Sequence, residues 1–297
     1  LYAKARGWNY YISLDLSDAY SQLRLHESCQ EYFAISVAGL GIYKPTRLPQ
    51  GIAAGPFWWD TAIRDILGDL NQITLVWLDD LLTGGKTLQE TEDNFVRVMR
   101  RLHKVNAKVA PNKCKIATRM PFVGKVFLPN GHTIPDPERT KALRELVKPT
   151  DIAQLVQFVG AIAWHQHHIP DFARKAAPLR DVIKNAQRAC KSAKKSRMNK
   201  VSLRDAGYGD EHQAAFEELR KALIHATQLA VWDPAQLVYA ATDASDIGYS
   251  GVLWQTPQDQ EHYAFADMAK EPLMFVSGVF NETQKRWTVS SREAYAV

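Results

Sequence analysis

Two short runs in this chain end apolar stretches on carboxylates: Leu14-Asp15-Leu16-Ser17-Asp18-Ala19-Tyr20 and Val76-Trp77-Leu78-Asp79-Asp80-Leu81-Leu82. Ile12, Leu14 and Leu16 alternate with Tyr11, Ser13 and Asp15. That is the period-two pattern of a strand with one buried face, and it puts Asp15 on the other face. Ile73 to Leu78 is a second β-rich run that stops at the acidic pair. Three carboxylates on neighbouring strands would present hard oxygen ligands to two Mg²⁺ ions, the clamp that in-line phosphoryl transfer needs. Asp pairs also cap and turn chains, but a strand-borne Asp15 is poorly suited to that work.

The elements that must position these acids follow from the surrounding pattern. Phe95, Val98, Met99 and Leu102 recur at helical spacing behind Thr87-Leu88-Gln89-Glu90, which reads as a capping box. This helix would follow the Asp-Asp hairpin and pack beneath it. Asn130-Gly131 marks a hairpin turn between Val126 and Ile134, and Pro135 and Pro137 then break the pattern. Glu138 to about Asn185 reads as helical, with Lys148-Pro149-Thr150 as a break and Thr150 or Asp151 as the next cap. Lys191 to Gly209 lacks apolar periodicity and reads as a linker, and Glu211 to Leu223 returns to helix. Strands are expected over 237–242, 248–255 and 273–280, with a helix opening at Ser290-Ser291-Arg292-Glu293.

At 297 residues the chain is about two domains long and can bury real cores. No apolar run approaches the roughly 20 residues of a membrane helix, and Leu1-Tyr2-Ala3-Lys4-Ala5-Arg6 has neither an h-region nor an initiator Met. The chain therefore reads as an excised, unsecreted fragment. Cys29, Cys114 and Cys190 are odd in number and far apart, which speaks against a disulfide framework and for a reducing intracellular setting. The net charge of +5 is unevenly spread. Lys184, Arg188, Lys191, Lys194, Lys195, Arg197 and Lys200 face only Asp181, a run that could track a phosphate backbone or simply solvate a hinge.

The order and spacing of Leu14-Asp15-Leu16 through Tyr20-Ser21-Gln22-Leu23, Leu48-Pro49-Gln50-Gly51 and Trp77-Leu78-Asp79-Asp80 resemble the palm motifs of reverse transcriptases. The variety most resembled is the pol polyprotein of gypsy-type long-terminal-repeat retrotransposons. Similarity continues through Phe122-Val123-Gly124, Ile134-Pro135-Asp136-Pro137-Glu138, Phe158-Val159-Gly160 and Ile169-Pro170-Asp171-Phe172. It extends over Ala214-Ala215-Phe216-Glu217-Glu218-Leu219 to Thr242-Asp243-Ala244-Ser245 and Ser291-Arg292-Glu293-Ala294, which resemble the start of an RNase H domain. The resemblance implies that Asp15 and Asp79 hold two Mg²⁺ ions, with Mn²⁺ as a substitute, and that Asp80 supports them less directly. It puts Leu16, Ala19, Tyr20 and Gln50 at the incoming nucleotide, Tyr20 excluding a 2′-hydroxyl. Gln50, Gly51, Trp77, Leu78 and the primer-grip residues Phe122, Val123 and Gly124 are implied at the template-primer. Lys113 is implied near the departing pyrophosphate, as an acid or a charge. Asp243 and Glu293 match the first two metal-binding acids of RNase H. Trp77 departs from the family, which has Tyr or Phe there; an indole is larger and lacks the phenol.

Other patterns lead elsewhere. Thr83-Gly84-Gly85-Lys86-Thr87 ends like a phosphate-binding loop, but its first glycine would fall on Asp80, and Gly39-Leu40-Gly41 has no third glycine. Trp164-His165-Gln166-His167-His168 lacks the further ligands of a zinc site, so its histidines read as thumb-surface contacts to nucleic acid or as neutral replacements. Ser290-x-x-Glu293 is itself a capping box, a structural alternative for Glu293.

The expected fold is α+β: a right-hand polymerase palm with partial fingers over 1–132, a helical thumb over 133–188, a basic linker over 189–210 and the first part of an RNase H-like α/β domain over 211–297. The implied activity is RNA-directed DNA polymerisation by two-metal nucleotidyl transfer. Implied partners are an RNA or DNA template with primer, deoxynucleoside triphosphates and the rest of the polyprotein, in the cytoplasm or a particle and without a membrane. The rival expectation is a truncated or relic domain that binds nucleic acid and catalyses nothing. It draws on two features: the family's fingers lysine and arginine precede this chain's first residue, and the later RNase H acids follow its last. RNase H activity is accordingly not expected of this chain alone.

Overall fold

The alternation around residue 12 becomes strand β1, Tyr10–Asp15, in the computed structural model, which describes residues 2–192 and 194–297, Lys195 by its backbone only. That lysine's part in the basic run lies outside the described residues. The chain forms two compact units, Leu1–Val123 with Phe127–Gly131, and Gly124–Val126 with His132–Val297.

In the first unit, helix α1 (Glu27–Gln30) precedes a two-stranded hairpin of β2 (Ile35–Val37) and β3 (Gly41–Tyr43). Helix α2 (Gly55–Leu67) follows, then strands β4 (Thr74–Trp77) and β5 (Asp80–Gly85), helix α3 (Leu88–Lys104), strand β6 (Lys115–Ala117) and strand β7 (Met120–Phe122). The main sheet has the order β4-β5-β1-β6. Thr87 caps α3 as its spacing predicts, accepting the Glu90 N–H at 3.1 Å, while the Glu90 carboxylate takes the Lys86 N–H at 2.9 Å. Leu14, Leu16, Val76 and Leu81 face α2 and α3, whose Trp59, Ile63, Val98 and Leu102 close that core.

Period two foretells a single buried face for β1, and here the structure differs. Tyr11 is fully buried in a second core with Trp8, Leu75, Leu82 and Phe127. Two apolar layers cover the sheet, and along β1 the second face opens only at Ser13 and Asp15. The glycines at the end of β5 have a packing cause: a Cβ on Gly84 would lie 2.5 Å from the Trp8 indole and 2.6 Å from the Tyr10 carbonyl. Close approach, not phosphate cradling, accounts for them.

The chain enters the second unit through β8 (Lys125–Phe127) and β9 (Thr133–Pro135), which flank the expected turn at Asn130-Gly131. Helices α4 (Pro137–Glu145), α5 (Ile152–Ala163) and α6 (Phe172–Ala189) follow. Of the two possible caps, Asp151 starts α5, accepting the Gln154 N–H at 2.8 Å. The 189–210 run holds short helix α7 (Lys195–Met198) and drops Met198 and Ala206 into the core of α5 and α6. Helix α8 (Asp210–Ile224) shares that core through Phe216, Leu219 and Leu223. A three-stranded antiparallel sheet, β10 (Leu237–Ala244), β11 (Gly248–Thr256) and β12 (Glu271–Val279), and helix α9 (Val289–Ala296) complete the unit.

Candidate active site

Sheet register brings the first acids together. Asp15, the last residue of β1, lies directly opposite Asp80, the first residue of β5. Asp79 occupies the turn between β4 and β5, and its carbonyl accepts the Leu16 N–H at 2.9 Å, tying the turn to the end of β1. Lys113, in the turn Pro111–Lys113, reaches the same point: its ammonium donates to Asp15 Oδ1 at 2.9 Å. The Ala110 N–H donates to the Asp15 carbonyl at 2.8 Å and aims this turn. The hydrogen bond to Asp15, and then the fields of Asp15, Asp79 and Asp80, raise the Lys113 pKa above the ordinary lysine value. Lys113 is therefore held as an ammonium against Asp15.

The donor set fits a divalent cation in chemistry. It is all carboxylate, it is open to solvent at Asp79, and it already draws a cation to Asp15. Among the described residues no three His, Cys, Asp or Glu side chains are grouped closely enough to hold a metal ion together, and Asp15 is paired with the Lys113 ammonium, which a metal on Asp15 would have to displace.

The remaining palm residues are spread around this end of the sheet. Leu16 and Ala19 are buried, at 1% and 5% exposure. Tyr20 is half-buried, its ring edge-on to Trp59 at 6.4 Å and 3.7 Å from where a Gly55 Cβ would stand. Gln50 and Gly51 are exposed on the loop after β3, Gly51 at φ 89°, and Leu48 N–H anchors that loop on the Leu23 carbonyl at 3.0 Å. Trp77 is 43% exposed beside the acidic turn. Phe122 is buried against Phe127, and Val123 and Gly124 both take left-handed backbone, at φ 50° and 74°.

Two positioning residues carry no signal in the acidic motifs. Trp59 Nε1 donates to the Leu78 carbonyl at 2.7 Å and steadies a left-handed Leu78, φ 53°, a conformation that costs a non-glycine residue about 1–2 kcal/mol. Gln22 spans two segments: its amide donates to the carbonyls of Ser17 at 2.5 Å and Lys108 at 3.0 Å and accepts the Lys108 N–H at 2.8 Å. Trp59 falls within an apolar run where an indole reads as core, and Gln22 within a motif that assigns it no partner.

The second pair of acids is arranged differently. Asp243 is exposed on β10, opposite Ser250, beside a cavity of about 220 Å³ lined also by Asp171, Arg174, Ser245 and Ser277. Glu293 lies within α9 and is not among that cavity's lining residues. The expected Ser290-Glu293 capping box is replaced by Thr288, which accepts the Ser291 N–H at 3.3 Å. The helix starts two residues earlier than a Ser290 cap would place it, so Glu293 has no capping duty. Its neighbour Arg292 is buried, donating to the Ser245 carbonyl at 3.0 Å and pairing with Asp246.

Of the two readings of the histidines in the 164–168 run, burial corrects the surface one for His165 and His168 and agrees with the neutral one. His165 and His168 are 5% and 1% exposed, which rules out thumb-surface contacts, and burial holds both near a pKa of about 4. Both rings are therefore neutral at physiological pH. His168 Nδ1 faces the Thr227 carbonyl at 2.9 Å. His167 Nδ1 lies 3.1 Å from the Phe275 carbonyl.

The family described as reverse transcriptase (RNA-dependent DNA polymerase) matches residues 1–162, and that described as the RNase H-like domain found in reverse transcriptase matches residues 208–297. The retrovirus-related Pol polyprotein from transposon opus of Drosophila melanogaster is 25% identical over 290 residues, covering 97% of this chain and 27% of that protein. The Transposon Tf2-3 polyprotein of Schizosaccharomyces pombe is 23% identical over 299 residues, covering 100% of this chain and 20% of that protein. This chain thus spans about a quarter of the relatives it matches. The fold is that of the foamy viral protease-reverse transcriptase solved in complex with RNA/DNA hybrid, at a TM-score of 0.79, 19% identity, and 99% and 37% coverage of the two chains. In complex with dsDNA the same enzyme superposes at 0.75, with 20% identity and coverage of 95% and 54%. No helix among the described residues is long and apolar enough to cross a membrane.

Proposed function

Because the chain belongs to the reverse transcriptase family and carries its RNase H-like region, we propose that it performs template-directed DNA synthesis, adding deoxynucleotides to a primer 3′-hydroxyl on an RNA or DNA template. The observation that carries this reading is the meeting of Asp15, Asp79 and Asp80 at one end of the sheet, with a lysine ammonium held on Asp15. Divalent metal ions serve this family. Here Asp15 and Asp79 would hold two Mg²⁺ ions, or Mn²⁺, with Asp80 in support. When bound, such ions stabilise charge on the transferring phosphoryl group and lower the pKa of the attacking hydroxyl.

The chain's own residues supply the rest. Tyr20, braced on Trp59, presents a ring edge where a 2′-hydroxyl would clash, and Gln50 and Gly51 offer a polar side chain and close backbone approach to the templating base. Lys113 supplies positive charge at the departing pyrophosphate. Trp77, Leu78 and the Phe122-Val123-Gly124 turn are assigned to the primer strand. Asp243 and Glu293 would contribute to a second metal site. We divide the chain as palm with partial fingers over 1–132, thumb over 133–188, basic connection over 189–210 and RNase H-like region over 211–297. The parent is a retrotransposon Pol polyprotein acting inside the cell, in cytoplasm or particle, with its other segments as partners.

The test is Mg²⁺-dependent primer extension on an RNA template, comparing the chain with its Asp79→Asn variant. Extension by the first and not the second supports the reading. Equal extension, or none from either with folded protein, sinks it.

A further inference from the structure

The first unit contains a cavity of about 660 Å³ to which neither the acids nor the nucleotide and primer residues give a use. Asp15, Tyr20, Gln50, Asp79 and Asp80 are not among its lining residues. Its floor is apolar: Leu23 and Ile66 are half-buried there, Val105 is 49% exposed, and the buried Trp59 and Ile63 lie against it. A concave, partly apolar site of this volume suits one small organic molecule.

The rim is cationic. Arg24 and Arg47 face each other across an isolated antiparallel bridge and both line the cavity, as does Lys108. Asp18 is the one acid on the lining, and among the described residues none of these four side chains forms an ion pair. Like charges set directly opposite on a ladder repel, so the Arg24–Arg47 pairing carries a cost that an anion between them would remove. Guanidinium forks also match the paired oxygens of a carboxylate or phosphate.

The walls are set before any ligand arrives. Arg47 Nη1 donates to the Gln22 carbonyl at 2.9 Å, and the Gln22 side-chain amide holds both backbone groups of Lys108. Leu25 N–H on the Thr46 carbonyl and Leu48 N–H on the Leu23 carbonyl, each at 3.0 Å, fix the two segments that carry the arginines. A preformed site asks little ordering of its ligand or of itself.

We propose that this cavity binds a small organic anion, an apolar ring or short chain lying on Leu23, Ile66 and Val105 with its carboxylate or phosphate at Arg24, Arg47 and Lys108. A bare phosphate or a strand backbone would use the rim and leave the apolar floor unfilled. Trp59 lines the cavity and also holds the Leu78 carbonyl, so an occupant meets the side chain that steadies the acidic turn. The inference goes beyond the polymerase reading and does not rest on it.

The experiment titrates the ¹⁵N-labelled full chain, in EDTA and without nucleic acid or nucleotides, with 1-naphthoate, 1-naphthyl phosphate and the neutral 1-naphthalenemethanol. The reporter is the Trp59 indole N–H resonance, identified by its loss in Trp59→Phe. At least one anion should shift it saturably and bind more tightly than the alcohol, the tighter of the two naming the head group. Arg24→Gln, which removes charge-assisted hydrogen bonds at an exposed side chain, should weaken that binding roughly ten-fold. Val105→Trp should abolish it by filling the cavity, and Arg188→Gln, an exposed charge in the other unit, should bind like the parent. No saturable shift from either anion, equal affinity for the alcohol, or equal affinity in Arg24→Gln would overturn the proposal. So would displacement of the bound anion by a single-stranded oligothymidylate, since the cations would then belong to a strand. With metal and template both absent, failure here leaves the polymerase reading untouched, and failed primer extension leaves the binding result standing.

Discussion

The acidic ends of β1 and β10 look alike in sequence, each an Asp closing a run of apolar or small residues, yet they are assembled on different principles. At the first, antiparallel register sets Asp15 opposite Asp80 and a two-residue turn delivers Asp79, so adjacent backbone positions determine the cluster. At the second, the candidate partner Glu293 sits on a helix, and its place depends on how α9 packs. There Asp243 instead shares a cavity with Asp171 and Arg174. A ladder fixes its functional groups through register, whereas a helix and a sheet bring theirs together only through packing.

The largest expected effect breaks the comparison if it fails. Asp15→Asn should lower primer extension by roughly 10³-fold or more, because it removes metal-borne charge stabilisation worth several kcal/mol, while Asp243→Asn should leave extension unchanged. Equal losses in single-turnover extension would show that the two acidic ends act as one site.

Acidification should separate the two units next. His165 and His168 have folded pKa values of about 4 against an ordinary 6.5, through burial first and then, for His165, Lys125 and Arg144 opposed by Asp136, and for His168, Lys125, His165 and His167 opposed by the Thr227 carbonyl. The unfolded state binds protons more readily than the native one between those values. Their stabilisation is thus intact above pH 6.5 and falls as pH drops toward 4, by up to about 3 kcal/mol for each ring. Hydrogen exchange at pH 7 and pH 5 should show α5 and α6 losing protection while β1 and β5 keep theirs. Substituting Gln for both histidines should flatten that dependence.

Two smaller effects sharpen the picture at the first site. Trp59→Phe keeps the ring but strands the Leu78 carbonyl, and should cost about 1–3 kcal/mol in denaturant unfolding, with slower extension as the Asp79 turn loosens. Lys113→Gln removes the ammonium that competes for Asp15, so Mn²⁺ titrated by electron paramagnetic resonance should bind a few-fold more tightly while extension slows. Weaker Mn²⁺ binding in that variant would mean that Lys113 orders the carboxylate instead of competing for it.

Much of the fold was legible because its signals are local. The α3 cap at Thr87, the Asn130-Gly131 turn, the Asp151 cap and the strand runs near 237, 248 and 273 all lie within a few residues of the elements they start or end. The errors share a physical origin. Tyr11 is buried because a second layer, with Trp8 and Phe127, covers a face that alternation assigns to solvent. His168 is buried where Thr227, far along the chain, closes over it, its carbonyl 2.9 Å from the His168 ring. Thr288 rather than Ser290 caps α9, a shift of two positions against the ordinary preference for Ser over Thr, which local capping rules do not foresee.

By itself the sequence determined the family and most of the longer helices and strands, since motif spacing and hydrophobic period are properties of the chain read in line. Only the tertiary structure decided that Trp59 holds the Leu78 turn, that Gln22 joins residues 17 and 108, and that Lys113 sits on Asp15. Each of these contacts joins residues distant in sequence, and no local rule of period or turn chemistry reaches across that separation. Side-chain partners are selected by packing and desolvation once the layers have met.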